Sequence, residues 1–184
     1  GGPVVSVSSL AEALVMRGHE VTVFTTDSNL DQRLDVPTDR LVDVQGVQVR
    51  YFRREEPLKR YLRRVKYVSQ SIGTLYAPQM AAELQGMAGK VDLMHTHMPF
   101  VYPTLATAKA AFRGKVPLFY HQRGVFDPER LKFRALKKQL YLSLNEKPIL
   151  RKATTLIGLT EAERDSYAAL GIHGCLPHSH GSQG

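Results

Sequence analysis

The sequence predicts an α/β domain with a mostly parallel sheet, and three observations carry that prediction. Segments with apolar residues at helical spacing alternate with short unbroken apolar runs. Runs such as Val116 to Tyr120 have the composition of strands buried on both faces. Polar side chains gather just after those runs, where open α/β sheets bind their ligands.

Taken in order, Gly1, Gly2 and Pro3 precede the periodic set Val7, Leu10, Ala11, Leu14 and Val15, an amphipathic helix ending at Gly18. Gly1 and Gly2 can present bare N–H groups to a phosphate or sugar oxygen, and a flexible chain start gives the same letters. Glu20 to Thr26 is β-branched enough for a strand, and Asp27, Ser28 and Asn29 stop it. Leu30 to Gln45 has mixed charge and no clean period, so it reads as a loop. Val47 to Phe52 is the next strand. Leu58, Tyr61, Leu62, Val65, Val68 and Ile72 then recur at helical spacing, which puts Arg60, Arg63 and Arg64 on the opposite face. That helix either buries its stripe under a solvated basic face or lies on an anionic membrane surface with the arginines among headgroup phosphates.

Pro78 to Met87 reads as a helix with proline in its first turn. Val91 to His95 reads as a strand, followed by a His-rich turn and a helix over roughly Tyr102 to Phe112, whose alanines allow close packing. After the strand Val116 to Tyr120 come His121, Gln122 and Arg123, and Gly124 lets the chain turn. Asp127 and Pro128 open a long basic helical region that Pro148 should kink or split. Thr154 to Leu159 is the last strand, and Thr160 with Glu163 forms a capping box for a helix ending at Gly171. Residues 172–184 lack apolar periodicity and read as a disordered or non-family tail. With no strand before Gly1 and none after Gly171, the domain is expected to be truncated at both ends.

Composition narrows the function classes. The chain has 184 residues, 43 % of them apolar, which is enough for one domain with a real core and excludes a disordered chain. The single cysteine, Cys175, excludes a disulfide-stapled scaffold, and no apolar run approaches the roughly 20 residues that span a bilayer. A cytoplasmic protein is expected, with peripheral contact to the inner face of the plasma membrane if the basic helix binds lipid. The formal charge of +8 attracts polyanions without choosing among them, and no nucleic-acid-binding motif is present, so nucleic acid is not an expected partner.

The candidate site residues lie at strand ends. His95 and His97 flank Thr96 and can line a cleft as hydrogen-bonding groups, or serve structurally. Arg123 offers a planar donor fork to a phosphate or carboxylate, and His121 can orient a hydroxyl beside it. The structural alternative pairs Arg123 with Asp127 or Glu129. No metal is expected, because two histidines need a third ligand and the nearby carboxylates form no recognisable ligand set. Cys175, His178 and His180 lack the second half of a zinc motif.

Several stretches together are similar to a known family. GGP with LAEALVMRGHEVTVFTTD, then VDLMHTHMP, VPLFYHQRG with its downstream basic helix, and TTLIGLTEAE resemble the N-terminal domain of group-one (family-four) retaining glycosyltransferases of the GT-B fold. The resemblance covers Gly1 to about Gly171. It implies a Rossmann-like three-layer domain with a mostly parallel sheet, the acceptor-side half of a two-domain enzyme. Such enzymes are hexosyltransferases that move a sugar from a nucleotide-sugar donor to a lipid-linked or polysaccharide acceptor in cell-envelope polysaccharide biosynthesis, with no required cofactor. Gly1 and Gly2 match the family's glycine turn near the donor diphosphate. Arg123-Gly124 stands where many members have His-Gly, so the histidine's role does not transfer. The family's nucleotide-sugar domain has no counterpart after Gly171, so residues 1–171 alone are expected to be inactive. The alternative is a non-catalytic α/β module binding a phosphorylated ligand or an anionic membrane surface.

Overall fold

The computed structural model describes residues 2–29, 32–55, 75–127, 135–173 and 175–176. Helix α1 (Gly2–Met16) leads into strands β1 (Thr22–Thr26), β2 (Ser28–Asn29), β3 (Gln32–Arg33), β4 (Leu41–Val44) and β5 (Val47–Phe52). Next come α2 (Pro78–Met87), β6 (Met94–His97), α3 (Tyr102–Gly114) and β7 (Leu118–His121). Helix α4 (Ala135–Tyr141), a π-helical turn over Leu142–Glu146 and α5 (Lys147–Lys152) form one continuous rod, followed by β8 (Thr155–Ile157), α6 (Glu161–Ala169) and β9 (Cys175–Leu176).

Three sheets form among the described residues. Strands β6, β7, β8 and β9 lie side by side in that order and all run parallel. Strand β5 pairs parallel with β1 and antiparallel with β4, and β2 and β3 form a small antiparallel pair. The architecture is therefore α/β with mostly parallel pairing. One large core unites the β6–β9 sheet with Phe52, α2, α3 and the rod, and buries Tyr120, Tyr167, Phe126, Met80 and Leu150 almost completely. A small satellite cluster of Ala11, Val47 and Val49 holds α1, while Val4, Val5 and Met16 on the same helix are exposed.

Helices α2 and α3 approach closely where they end. A Cβ built on Gly114 would lie 2.5 Å from the Ala88 Cβ and 3.2 Å from its Cα, so only glycine fits there. This is the close packing expected of an alanine-rich helix, since Ala106, Ala108, Ala110 and Ala111 are all buried.

Several expectations are corrected. The stretch read as a loop over Leu30 to Gln45 contains β3 and β4. Strand β4 escapes notice because Leu41 and Val44 are exposed and blur the alternation. Its true signal is Gln45-Gly46, both with positive φ (55° and 84°), the requirement of a tight hairpin turn to β5. Strand β6 starts at Met94 and ends at His97, so His97 lies on the strand with His95 instead of in the turn after it. Strand β7 likewise includes His121. The helical region is split next to Pro148, as expected, by the π-helical turn that separates α4 from α5. The helix widens just before Pro148, Lys147 N–H bonding to Leu142 O across five residues, which relieves the clash between a proline ring and the carbonyl four residues back.

The expected tail also begins later than residue 172. Ile172 is buried, and Cys175–Leu176 adds a parallel strand to β8, so the fold continues to Leu176. Two residues of strand are too short to show periodicity. The basic helix carrying Arg60, Arg63 and Arg64, and Gly1, lie outside the described residues. No helix among the described residues is long and apolar enough to cross a membrane.

Candidate functional site

Strand register brings three histidines together. His95 and His97 are two apart on β6 and so share a face, and His97 is the direct register partner of His121 on β7. Their rings cluster, with centroids 4.1 Å apart for His95 and His97, 5.7 Å for His97 and His121, and 6.4 Å for His95 and His121. On the opposite face of β6, buried Thr96 bonds to the Thr104 hydroxyl at 2.9 Å, which fixes the strand to α3.

Arg123 completes the cluster. Its Nη2 lies 3.3 Å from His97 Nδ1, and its Nη1 donates to the Ser6 hydroxyl on α1. Residues from the first helix, β6 and the end of β7 thus converge at one place. Of the residues singled out from sequence, His95, His97, His121 and Arg123 meet here, with Gly124 forming the turn behind them. Gly2 begins α1, the helix that carries Ser6 to the cluster.

The electrostatics follow from burial. Desolvation, followed by the positive charge of Arg123, lowers the pKa of His95 to about 4. Burial, then Arg123 and His95, lower His121 to about 4. His97 is lowered further by burial first and then by His95, Arg123 and His121. All three imidazoles are therefore neutral near pH 7. The Glu163 carboxylate reaches within 3.9 Å of His121 Nε2, but against a neutral ring this is a polar contact and no ion pair. Burial also lowers the Arg123 pKa, and the Glu163 charge opposes that fall. The Nε2 atoms of His95 and His121 and the Nε of Arg123 are buried without a hydrogen-bond partner among the described residues. Each such orphan costs about 1–3 kcal/mol.

The loops that present these groups are strained and clamped. Among the described residues six non-glycine positions have positive φ, and three of them, Met98 (68°), Phe100 (63°) and Arg123 (56°), sit just after β6 and β7. Left-handed backbone costs about 1–2 kcal/mol per residue, and it persists where surrounding bonds over-determine it. Met98 N–H donates to His121 O at 2.9 Å, and the Thr104 hydroxyl donates to Met98 O at 2.6 Å. Phe100 N–H donates to Glu146 Oε1 at 2.7 Å, while the Tyr120 hydroxyl donates to Glu146 Oε2 at 2.6 Å. Glu146 is the last residue of the π-helical turn, and burial pushes its pKa up, opposed by these two hydrogen bonds.

Gln122 performs the same task for the second loop. Fully buried, it donates to Glu163 O and the Ser166 hydroxyl and accepts from Phe126 N–H at 2.9 Å. The loop from Arg123 to Phe126 is thereby anchored to α6. Thr160 caps α6 as expected, accepting from Glu163 N–H at 3.2 Å. The Glu163 side chain reaches back to Leu159 N–H at 2.7 Å and faces the histidine cluster.

Ser6, Gln122, Glu146 and Glu163 are the site residues that sequence reasoning missed. Glu163 carried a signal as the capping-box acid, which explains its placement but not its second neighbour. Glu146 sat two residues before Pro148, the position most suited to a helix irregularity.

Chemically, a guanidinium fork beside three neutral imidazoles at the carboxyl ends of parallel strands suits hydroxyl-rich, anionic ligands. The fold and this polar shelf define an α/β domain with a polar site at the carboxyl ends of its parallel strands. The chain belongs to the glycosyl transferase 4-like domain family, whose model matches residues 1–174, and is an N-terminal-type domain of family-four GT-B glycosyltransferases. Neither curated proteins nor solved structures give a significant match.

Proposed function

We propose that this domain forms the acceptor side of a hexosyltransferase, which moves sugar from a nucleotide-sugar donor to a lipid-linked or polysaccharide acceptor. The observation that carries the reading is the convergence of Arg123 with His95, His97 and His121 in a chain of this family. Arg123 holds an anionic group of the acceptor or the donor diphosphate by its donor fork. The neutral imidazoles, able both to donate and to accept, orient sugar hydroxyls. Sugar transfer needs groups that stabilise the developing positive charge and the departing diphosphate from both sides of a cleft, so this domain alone binds without turning over. No metal or organic cofactor is required in this scheme. Arg60, Arg63 and Arg64 bring the domain to an anionic membrane surface, where a lipid-linked acceptor for envelope polysaccharide would lie.

Saturation-transfer NMR on the purified chain tests this reading. Polyprenyl-phosphate-linked saccharides and nucleotide sugars are offered in turn. The saccharide acceptor should receive saturation, and Arg123→Ala should weaken that binding by about tenfold or more, as loss of a charged hydrogen-bonding partner does. A folded chain that binds neither class of ligand overturns the proposal.

A further inference from the structure

We propose that His95, His97 and His121 form a three-histidine site for a divalent transition metal of the zinc class. This goes beyond sugar transfer and rests on local geometry alone.

The sequence offered two histidines, and the parallel register of β6 and β7 supplies the third ligand. One ring nitrogen from each residue lies within 4.8 Å of the others. Tetrahedral zinc with Zn–N bonds of about 2.0–2.1 Å holds its ligand nitrogens ~3.4 Å apart, so ring rotation with small backbone adjustment closes the set. His121 is only 3 % exposed, and its Nε2, like that of His95, has no hydrogen-bond partner among the described residues; a metal gives such an atom one. An all-imidazole set favours zinc, cobalt, nickel or copper over magnesium and calcium, and three protein ligands leave a position open.

Arg123 is the competitor. Its guanidinium at 3.3 Å occupies the His97 Nδ1 lone pair and repels a dication, whereas the Glu163 carboxylate, 3.9 Å from His121 Nε2, attracts one. A bound metal therefore moves Arg123 away from His97, with Ser6 its remaining neighbour. This gives the site a signature that adventitious binding lacks. Removing the arginine strengthens it.

The test is titration of the full chain with cobalt(II), followed by its visible ligand-field bands, and with zinc by calorimetry. One equivalent should bind with the spectrum of a four- or five-coordinate imidazole site. His121→Ala should weaken binding by more than about 100-fold, since loss of even an outer partner of a metal ligand costs 10–100-fold. His95→Gln, at a half-buried position, should do likewise and serves if His121→Ala fails to fold. Arg123→Gln should tighten binding by about tenfold, the order set by a nearby unit charge. Replacing Cys175, His178 and His180 together should leave the affinity unchanged. Absence of a saturable cobalt spectrum in the wild-type chain overturns the proposal. So does equal affinity in His95→Gln, or loss of binding in the Cys175/His178/His180 variant.

Discussion

At the scale of single residues, Glu146 shows how a buried carboxylate shapes a site it does not line. Both its oxygens are used, one on the strained loop at Phe100 and one on Tyr120 of β7. Glu146→Ala leaves the Phe100 N–H and the Tyr120 hydroxyl unpaired, and thermal or denaturant unfolding should show a loss of about 2–5 kcal/mol. Glu146→Gln keeps an acceptor and should cost less. Because burial raises the folded-state pKa of Glu146, the unfolded chain loses its proton first as pH rises above the ordinary carboxylate range. Stability of the wild type relative to Glu146→Gln should therefore fall as pH rises from about 4 towards neutrality, whereas a flat difference would show an unshifted carboxyl. The neighbouring Tyr120 and Tyr141 stay out of this window, since burial raises both of their pKa values. None of this was legible in the sequence, where Glu146 was one acid in a basic helix. Arg123 and the histidines were legible because strand-end chemistry is local, and their mutual contacts were not.

Elements were legible in proportion to the length of their pattern. The bounds of α2 and the cap of α6 match the sequence reading, since proline in a first turn and a threonine three residues before a glutamate are local signals. Strands β4 and β9 escaped, one being half exposed and the other two residues long. The π-helical turn arises from the conflict between Pro148 and the carbonyl before it, a conflict the sequence shows without showing its resolution. At the end of α3 two effects oppose each other in Gly114→Ala. Alanine gains about 0.5–1 kcal/mol of helix propensity, but its Cβ meets Ala88 at 2.5 Å and overpacking costs about 1–3 kcal/mol. The clash should win, giving a lower melting temperature, and Ala88→Gly in the same chain should recover part of the loss. A rise in melting temperature would show that α2 and α3 separate easily.

For the molecule as a whole, one parallel sheet, β6 to β9, fixes the site by register. Helix and strand alternation made β6, β7 and β8 legible, but not their order in the sheet, and it is the pairing of β6 with β7 that brings His97 to His121. The association of α1 with that site through Ser6 and Arg123 is a long-range contact that no local pattern encodes. The central claim is that a sugar ligand sits on this shelf. Long-range nitrogen–proton NMR of the histidine rings tests it directly, because the chain carries its own controls in His19 and His173, which are exposed and stand outside the cluster. On titration with a polyprenyl-phosphate-linked saccharide, the rings of His95, His97 and His121 should shift together and saturably while His19 and His173 stay unchanged. Shifts confined to His19 or His173, with the three clustered rings unmoved, would contradict it.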